Sequence, residues 1–118
     1  MIRTEDIYNY NLKLKRKTDS IQKSTDISKN QKRKIFEFQK NCVAQGLSPA
    51  RVLRYLNDLP RLAEYLGKDF EKATKNDFED VLNKLESTSY APQTKLDFKK
   101  TIKKFYKWRT VAKSALNL

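Results

Sequence analysis

The chain has 118 residues, with 26 Lys and Arg against 14 Asp and Glu, for a formal net charge of +12. It has no histidine, no Gly-rich phosphate loop and no Cys/His metal spacing, so nothing predicts an active site, a metal site or a cofactor. A surface this positive attracts polyanions, which makes nucleic acid the first partner to consider and an anionic membrane the second. The alternative explanation of the charge is a generally lysine-rich proteome. The single Cys42 cannot form an internal disulfide and no apolar run is long enough for a membrane span, so we expect a cytoplasmic protein.

Residues 8–17 read YNYNLKLKRK, in which apolar and polar residues alternate at first as in a half-buried strand. An isolated strand would have no partner in an otherwise helical chain, and a wider window has a helical period. We therefore predict an amphipathic helix over residues 5–22, either packed on the other helices or ordered only on DNA. Its apolar stripe consists of Ile7, Tyr10, Leu14 and Ile21.

A second helix is predicted over residues 29–46. Ser28 and Gln31 form a capping box at its start, and Gly46 is a stop signal at its end. The helix is basic, with five bases and one acid for a net charge of +4. Its predicted buried residues are Ile35, Phe38, Cys42 and Val43.

The next helix is predicted over residues 49–66, with Ser48 as its N-cap and Pro49 at the first helical position, where a missing N–H costs nothing. Pro60 lies inside the apolar pattern and predicts a kink or a break near Leu59. The wide apolar stripe consists of Val52, Tyr55, Leu56, Leu59, Leu62, Ala63 and Leu66.

An acidic helix is predicted over residues 75–86, with Thr74 and Asp77 as a capping box. Residues 69–91 hold six acids and three bases, for a net charge of −3. The predicted buried residues are Phe78, Val81, Leu82 and Leu85.

The last helix, predicted over residues 92–109, is strongly basic, because residues 92–118 hold eight bases and one acid for a net charge of +7. A solvated helix face normally mixes signs, whereas Asp97 is the only acid here, which favours an anionic partner over an ordinary solvated face. At about 100° per residue one face is apolar and the other carries lysines. The apolar face consists of Phe98, Ile102, Phe105 and Tyr106, and the lysine face of Lys99, Lys100, Lys103, Lys104 and Lys107.

These elements predict an all-α fold, a bundle of four helices with an additional N-terminal amphipathic helix or arm. The acidic helix between basic ones predicts a positive side and a negative side, an arrangement that orients a protein on a duplex.

The order of these motifs resembles the N-terminal core-binding domain of tyrosine recombinases (phage-type integrases), and within them the archaeal integrase group. The family pattern has a loop serine that opens a helix with a downstream Tyr–Leu, then a threonine-capped helix containing Asp. A last helix has Thr near its start and an aromatic pair plus Trp near its end. In this chain, over about residues 28–109, the matching positions are Ser48, Tyr55–Leu56, Thr74 with Asp77, Thr94, and Phe105–Tyr106 with Trp108.

The resemblance implies a SAM-like four-helix domain that clamps one face of a DNA duplex opposite a catalytic domain. It implies an N-terminal arm or helix over residues 1–27, a core-binding domain over residues 28–109, and the start of a linker to an absent catalytic domain over residues 110–118. The family's catalytic Arg, Lys, His and Tyr set lies in that other domain. We therefore expect this chain to bind DNA and not to be an enzyme by itself.

The resemblance also implies which residues lie nearest the DNA, and these are Thr94, Lys95, Lys99 and Lys103 on the last helix and Arg51, Arg54 and Ser48 on the helix over residues 49–66. Lys103 stands where the family usually has Arg, which keeps the charge but loses the bidentate fork that reads bases. Ala91 stands where the family often has a capping Ser or Thr.

The implied partner is double-stranded DNA. We expect the chain to be a monomer without DNA and to meet other recombinase protomers in assemblies on DNA. We expect no membrane partner, no metal and no cofactor. A protein-interaction helical bundle whose basic face meets an acidic partner is the alternative of a different class. A membrane-surface role is disfavoured, because the aromatic residues that would enter lipid are needed in the core.

Overall fold

A computed structural model describes the backbone of residues 4–116 and the side chains of residues 10–109. Over this range the protein is helical and has no β-strand, which confirms the predicted all-α class. The elements are α1 (Thr4–Lys23), α2 (Lys29–Ala44), α3 (Pro49–Leu66), a 3₁₀ turn (Phe70–Lys72), α4 (Lys75–Glu86) and α5 (Pro92–Leu116). They group into two compact units, Met1–Ala73 and Thr74–Leu118.

The segment that alternates in sequence is helical. α1 packs against α3 in the first unit, with Ile21 buried at 2% exposure and Tyr10 and Leu14 half-buried. Ile7, the fourth residue of the predicted stripe, lies outside the described side chains. The helical period therefore describes this segment better than the short alternation, because it lets one face pack on a neighbouring helix.

Side-chain caps fix where α2 and α3 begin. The Ser28 hydroxyl accepts the N–H of Gln31 at 3.1 Å, and the Gln31 side-chain oxygen accepts the N–H of Ser28 at 3.0 Å, so the predicted capping box is confirmed. The Ser48 hydroxyl accepts the N–H of Arg51 at 3.3 Å at the start of α3. Each cap satisfies a backbone donor that the first helical turn leaves without a partner.

Gln31 also joins α2 to the end of α3. Its side-chain nitrogen donates to the carbonyl of Ala63 at 3.0 Å and to that of Lys68 at 2.7 Å, and the residue is only 2% exposed. Between these two carbonyls the backbone turns at Gly67, whose φ of 63° is costly for residues that have a Cβ. A buried amide thus holds the turn that follows α3.

Burial on α2 and α3 follows the predicted stripes with one exception. Ile35, Phe38 and Cys42 are buried on α2, but Val43 is 60% exposed, and its predicted burial is wrong. Val43 lies about 100° around the helix from Cys42, which places it beyond the edge of the packed face. All seven residues predicted for α3 are buried.

Pro60 does not break α3. The helix runs unbroken from Pro49 to Leu66 with Pro60 buried inside it, so the predicted break near Leu59 is absent. An interior proline costs about 3 kcal/mol, because it removes one backbone hydrogen bond and crowds the preceding turn. Burying a leucine contributes about 1.5–3 kcal/mol, and Leu59 and Leu62 on either side are both fully buried. The apolar face therefore outweighs the proline.

The second unit consists of α4 and α5. The Thr74 hydroxyl accepts the N–H of Asp77 at 3.3 Å while the Asp77 carboxylate accepts the N–H of Thr74 at 2.8 Å, which confirms the second capping box. Ala91, the residue before α5, has no polar side chain that could cap the helix, and its carbonyl accepts the N–H of Lys95. α5 continues to Leu116 instead of ending near residue 109. Among the side chains that the structure describes in this unit, the buried ones are those of Val81, Leu85, Phe98, Thr101 and Phe105.

Two residues predicted to be buried on α4 are more open than the stripe suggested. Phe78 is half-buried, with its ring edge-on to that of Tyr106 at a centroid distance of 5.0 Å, and Leu82 is 36% exposed. In the described part of the chain no helix is both long and apolar enough to cross a bilayer.

Candidate nucleic-acid interface

The lysines between Lys99 and Lys107 on α5 lie opposite its buried face. Phe98 and Phe105 are 1% and 0% exposed, and the helical period turns the lysines between them away from that side. Of the five lysines predicted for this face, Lys100, Lys103 and Lys107 are exposed, the side chain of Lys99 is 41% exposed, and Lys104 is half-buried. We call this surface the basic face of α5, and it consists of Lys99, Lys100, Lys103 and Lys107.

Glu86, the last residue of α4, holds two lysines of α5. Its carboxylate accepts a hydrogen bond from Lys99 Nζ at 2.9 Å and lies 3.7 Å from Lys95 Nζ. The hydrogen bond from Lys99, followed by the positive charge of Lys99 and then that of Lys95, lowers the pKa of the Glu86 carboxyl below its ordinary value. The carboxylate is therefore ionised at neutral pH and offsets charge at one end of the basic face.

Lys95 has a structural role in addition to its charge. Its Nζ donates to the backbone carbonyl of Glu86 at 3.1 Å, and its side chain is only 18% exposed. The last carbonyls of a helix have no partner within the helix and attract cations. Lys95 therefore caps the end of α4, which makes it less available to an external anion than its sequence position suggests.

The four residues predicted on α5 thus differ in what they can offer. Lys103 is exposed and forms no ion pair with any residue that the structure describes. Lys99 forms an ion pair with Glu86, and Lys95 donates a hydrogen bond to the backbone at the end of α4. Thr94 is exposed in the first turn of α5. Among these four, Lys103 is the most available to bind an anion.

The three residues predicted on α3 belong to the first unit. Ser48 uses its hydroxyl as the N-cap, and Arg51 and Arg54 are exposed in the turns that follow. Burial raises the pKa of the Tyr55 hydroxyl, and the charge of Arg51, and more weakly that of Arg54, lowers it. Both guanidinium groups therefore act on Tyr55. The α3 residues and the α5 residues form two groups, one in each unit.

The resemblance did not single out Lys100, Lys107 or Glu86. The two lysines appear in the helical period of the sequence, and both are exposed. The sequence signal for the pairing of Glu86 is weaker. Glu86 ends one predicted helix, and after residues 87–91 the next helix begins with lysines in its first turns. Such a short connection brings the end of one helix close to the start of the next.

Comparison of the chain with protein-family models, with curated proteins and with solved structures finds no match. The described side chains contain no cluster of His, Cys, Asp or Glu that could hold a metal ion. Chemically, the site is a row of ammonium groups along one helix, and ammonium groups attract anions by charge and can donate hydrogen bonds to them.

Proposed function

We propose that this chain binds double-stranded DNA through the basic face of α5, as the DNA-binding module of a site-specific tyrosine recombinase. The observation that carries the proposal is the alignment of four lysines over two turns of one helix, of which Lys99 is paired with Glu86. From Lys99 to Lys107 the helix rises about 12 Å. The same length of duplex axis carries about seven phosphate charges, which is enough for every lysine of the face to find a phosphate.

The chemistry of the face favours the DNA backbone over base edges. Lysine is a point charge on a flexible stem, whereas base reading in the major groove relies mostly on planar, bidentate groups such as Arg, Asn and Gln. The face holds lysines only, so we expect binding that depends weakly on sequence and strongly on salt.

The recombinase part of the proposal rests on the sequence resemblance and includes its finer claims, a SAM-like four-helix arrangement and a clamp on one face of the duplex. Ser48 and Thr74 cap α3 and α4, as the family pattern requires of these two positions, and this supports the proposal. Arg51 and Arg54 are exposed and would add phosphate contacts from α3.

The test is a titration of fluorescently labelled duplex with the chain at several salt concentrations. We expect log K to fall linearly with log salt, and replacing Lys100, Lys103 and Lys107 by Ala to reduce the slope by about 2.7, or about 0.9 for each phosphate that is no longer neutralised. A matched variant removes the same charge elsewhere by replacing three exposed lysines with Ala: Lys23, Lys40 and Lys75.

Absence of duplex binding at low salt would refute DNA as the partner. An equal loss of slope in the two triple variants would show that net charge alone drives binding, and would refute the basic face of α5 as the interface.

A further inference from the structure

A groove with an apolar floor lies between α4 and α5 within the second unit. Its volume is about 410 Å³, and its floor consists of Phe78 and Leu82 from α4 and Leu96 and Ile102 from α5. Leu82 and Leu96 are 36% and 46% exposed. Covering two large exposed aliphatic side chains in one groove removes apolar surface from water, which is favourable.

One edge of this groove is positively charged. Lys99, Lys100 and Lys103 line it along α5 together with Leu96. These positions follow Leu96 at spacings of three, four and seven residues, so they share one helix face with it. Lys99 is paired with Glu86, whereas Lys100 and Lys103 form no ion pair among the described residues. The groove therefore combines an apolar floor with a cationic edge.

The openness of the groove narrows the class of occupant. A pocket for a small molecule buries about 70–90% of the surface of its ligand. This groove is too open for such burial, because Leu82 and Leu96 on its floor are both exposed. Single-stranded nucleic acid stacks successive bases on several aromatic rings, and the floor has the single ring of Phe78, already edge-on to Tyr106. Duplex phosphates would reach the lysines but would leave the aliphatic floor in water.

We propose that this groove docks an amphipathic helix of a partner protein that carries acidic residues along one flank. Apolar side chains at spacings of three, four and seven residues would cover Leu82, Leu96 and their neighbours, and Asp or Glu on the flank would pair with Lys100 and Lys103. A second copy of this chain is a poor occupant, because two chains of net charge +12 repel each other. The inference is independent of DNA binding, although both ligands would use Lys103.

The probe is a fluorescein-labelled peptide of about 16 residues with Leu aligned on one helical face and Glu along its flank. The comparison peptide has the same composition in an order that disperses the Leu residues. We expect the aligned peptide to bind the full chain at least about tenfold more tightly than the dispersed one, because only its apolar face matches the floor.

Two variants test the two parts of the groove by fluorescence anisotropy. Leu82→Asp with Leu96→Asp should remove the preference for the aligned peptide, whereas Val43→Asp, at an exposed apolar position on α2, should keep it. Lys100→Ala with Lys103→Ala should weaken binding of the aligned peptide about threefold to tenfold and reduce its salt dependence.

Equal binding of the two peptides, an unchanged preference in the leucine variant, or no binding of the aligned peptide would overturn the proposal. Amide chemical shifts of the unmodified chain provide a readout that does not depend on the variants folding. We expect the aligned peptide to shift residues 78–82 and 96–103 and not Val43. A dimer of the free chain that dissociates on Leu82→Asp with Leu96→Asp would overturn a partner protein as occupant in favour of a second copy.

Discussion

Replacing Glu86 by Gln should strengthen DNA binding, although Glu86 itself is not expected to touch DNA. Its carboxylate occupies Lys99 Nζ at 2.9 Å, so an incoming phosphate must compete with a charge already in place. Because the pKa of Glu86 is lowered by Lys99, this charge is complete at neutral pH. A neutral amide of the same shape removes the competitor and keeps the backbone carbonyl to which Lys95 donates.

The structure sets the expected size of the effect. Lys95 remains held at the end of α4, so the substitution frees one lysine and adds one phosphate contact. One contact steepens the salt slope by about 0.9. Between about 1 M and about 0.1 M salt, this corresponds to a gain in affinity of about eightfold at the lower concentration and no gain at the higher one.

The assay is the duplex titration at several salt concentrations, with Glu79→Gln as the matched control. Glu79 is an exposed acid on the same helix and forms no ion pair with any described residue, so its replacement changes net charge equally without freeing a lysine. Thermal unfolding should change little, because exposed ion pairs contribute little to stability. Equal salt slopes for Glu86→Gln and Glu79→Gln would refute the idea that Glu86 competes with phosphate for Lys99. The same conclusion would follow if adding Lys99→Ala to Glu86→Gln did not reduce the gain in affinity.

Two further predictions concern stability. Gln31→Leu should lower the free energy of unfolding, measured in urea titrations, by about 2–4 kcal/mol, because it leaves the N–H of Ser28 and the carbonyl of Lys68 without their partner. The control is Gln22→Leu at an exposed position, and a loss for Gln31→Leu no larger than the loss for this control would contradict the prediction. Tyr55 has a pKa raised by burial, so its stabilising effect is complete below about pH 10 and is lost as pH rises through the folded-state value. Melting temperatures from about pH 8 to about pH 11 should therefore fall more steeply for the wild type than for Tyr55→Phe, and parallel curves would contradict the assignment.

The helix starts could be predicted because capping is a local interaction. Ser28 with Gln31 and Thr74 with Asp77 are each three residues apart, and both pairs form both of their hydrogen bonds. The end of α5 had no such signal, since no Gly or Pro follows Thr110 in the sequence.

Burial was harder to predict at the edges of helix faces. The face of α3 is so wide that every predicted residue is buried. On narrower faces, the packing of a neighbouring helix decides which edge residues are buried, and Val43 and Leu82 are left exposed. Phe70 was not predicted to be buried, because it lies in a short 3₁₀ turn that has no helical period in the sequence. Exposure of Leu82 is what opens the groove between α4 and α5.

The basic face itself was readable from the sequence, but the state of its charges was not. Helical period alone separates the lysines of α5 from its aromatic residues. The pairing of Glu86 with Lys99 spans 13 residues and depends on how the chain folds back after α4. Lys95 illustrates the consequence, because the resemblance implies a DNA contact while the structure engages its ammonium group at the end of α4.

The division into two units gives the protein a separate spectroscopic reporter for each. Cys42, the only thiol of the chain, is 0% exposed in the first unit, so its reaction with a thiol reagent requires that unit to open. Trp108, the only tryptophan, is half-buried in the second unit beside Phe105, with a ring-centroid distance of 5.7 Å, and its fluorescence reports that unit. Equal rates of thiol labelling and of fluorescence change in denaturant identify one cooperative transition, and different rates identify two, without any engineered label.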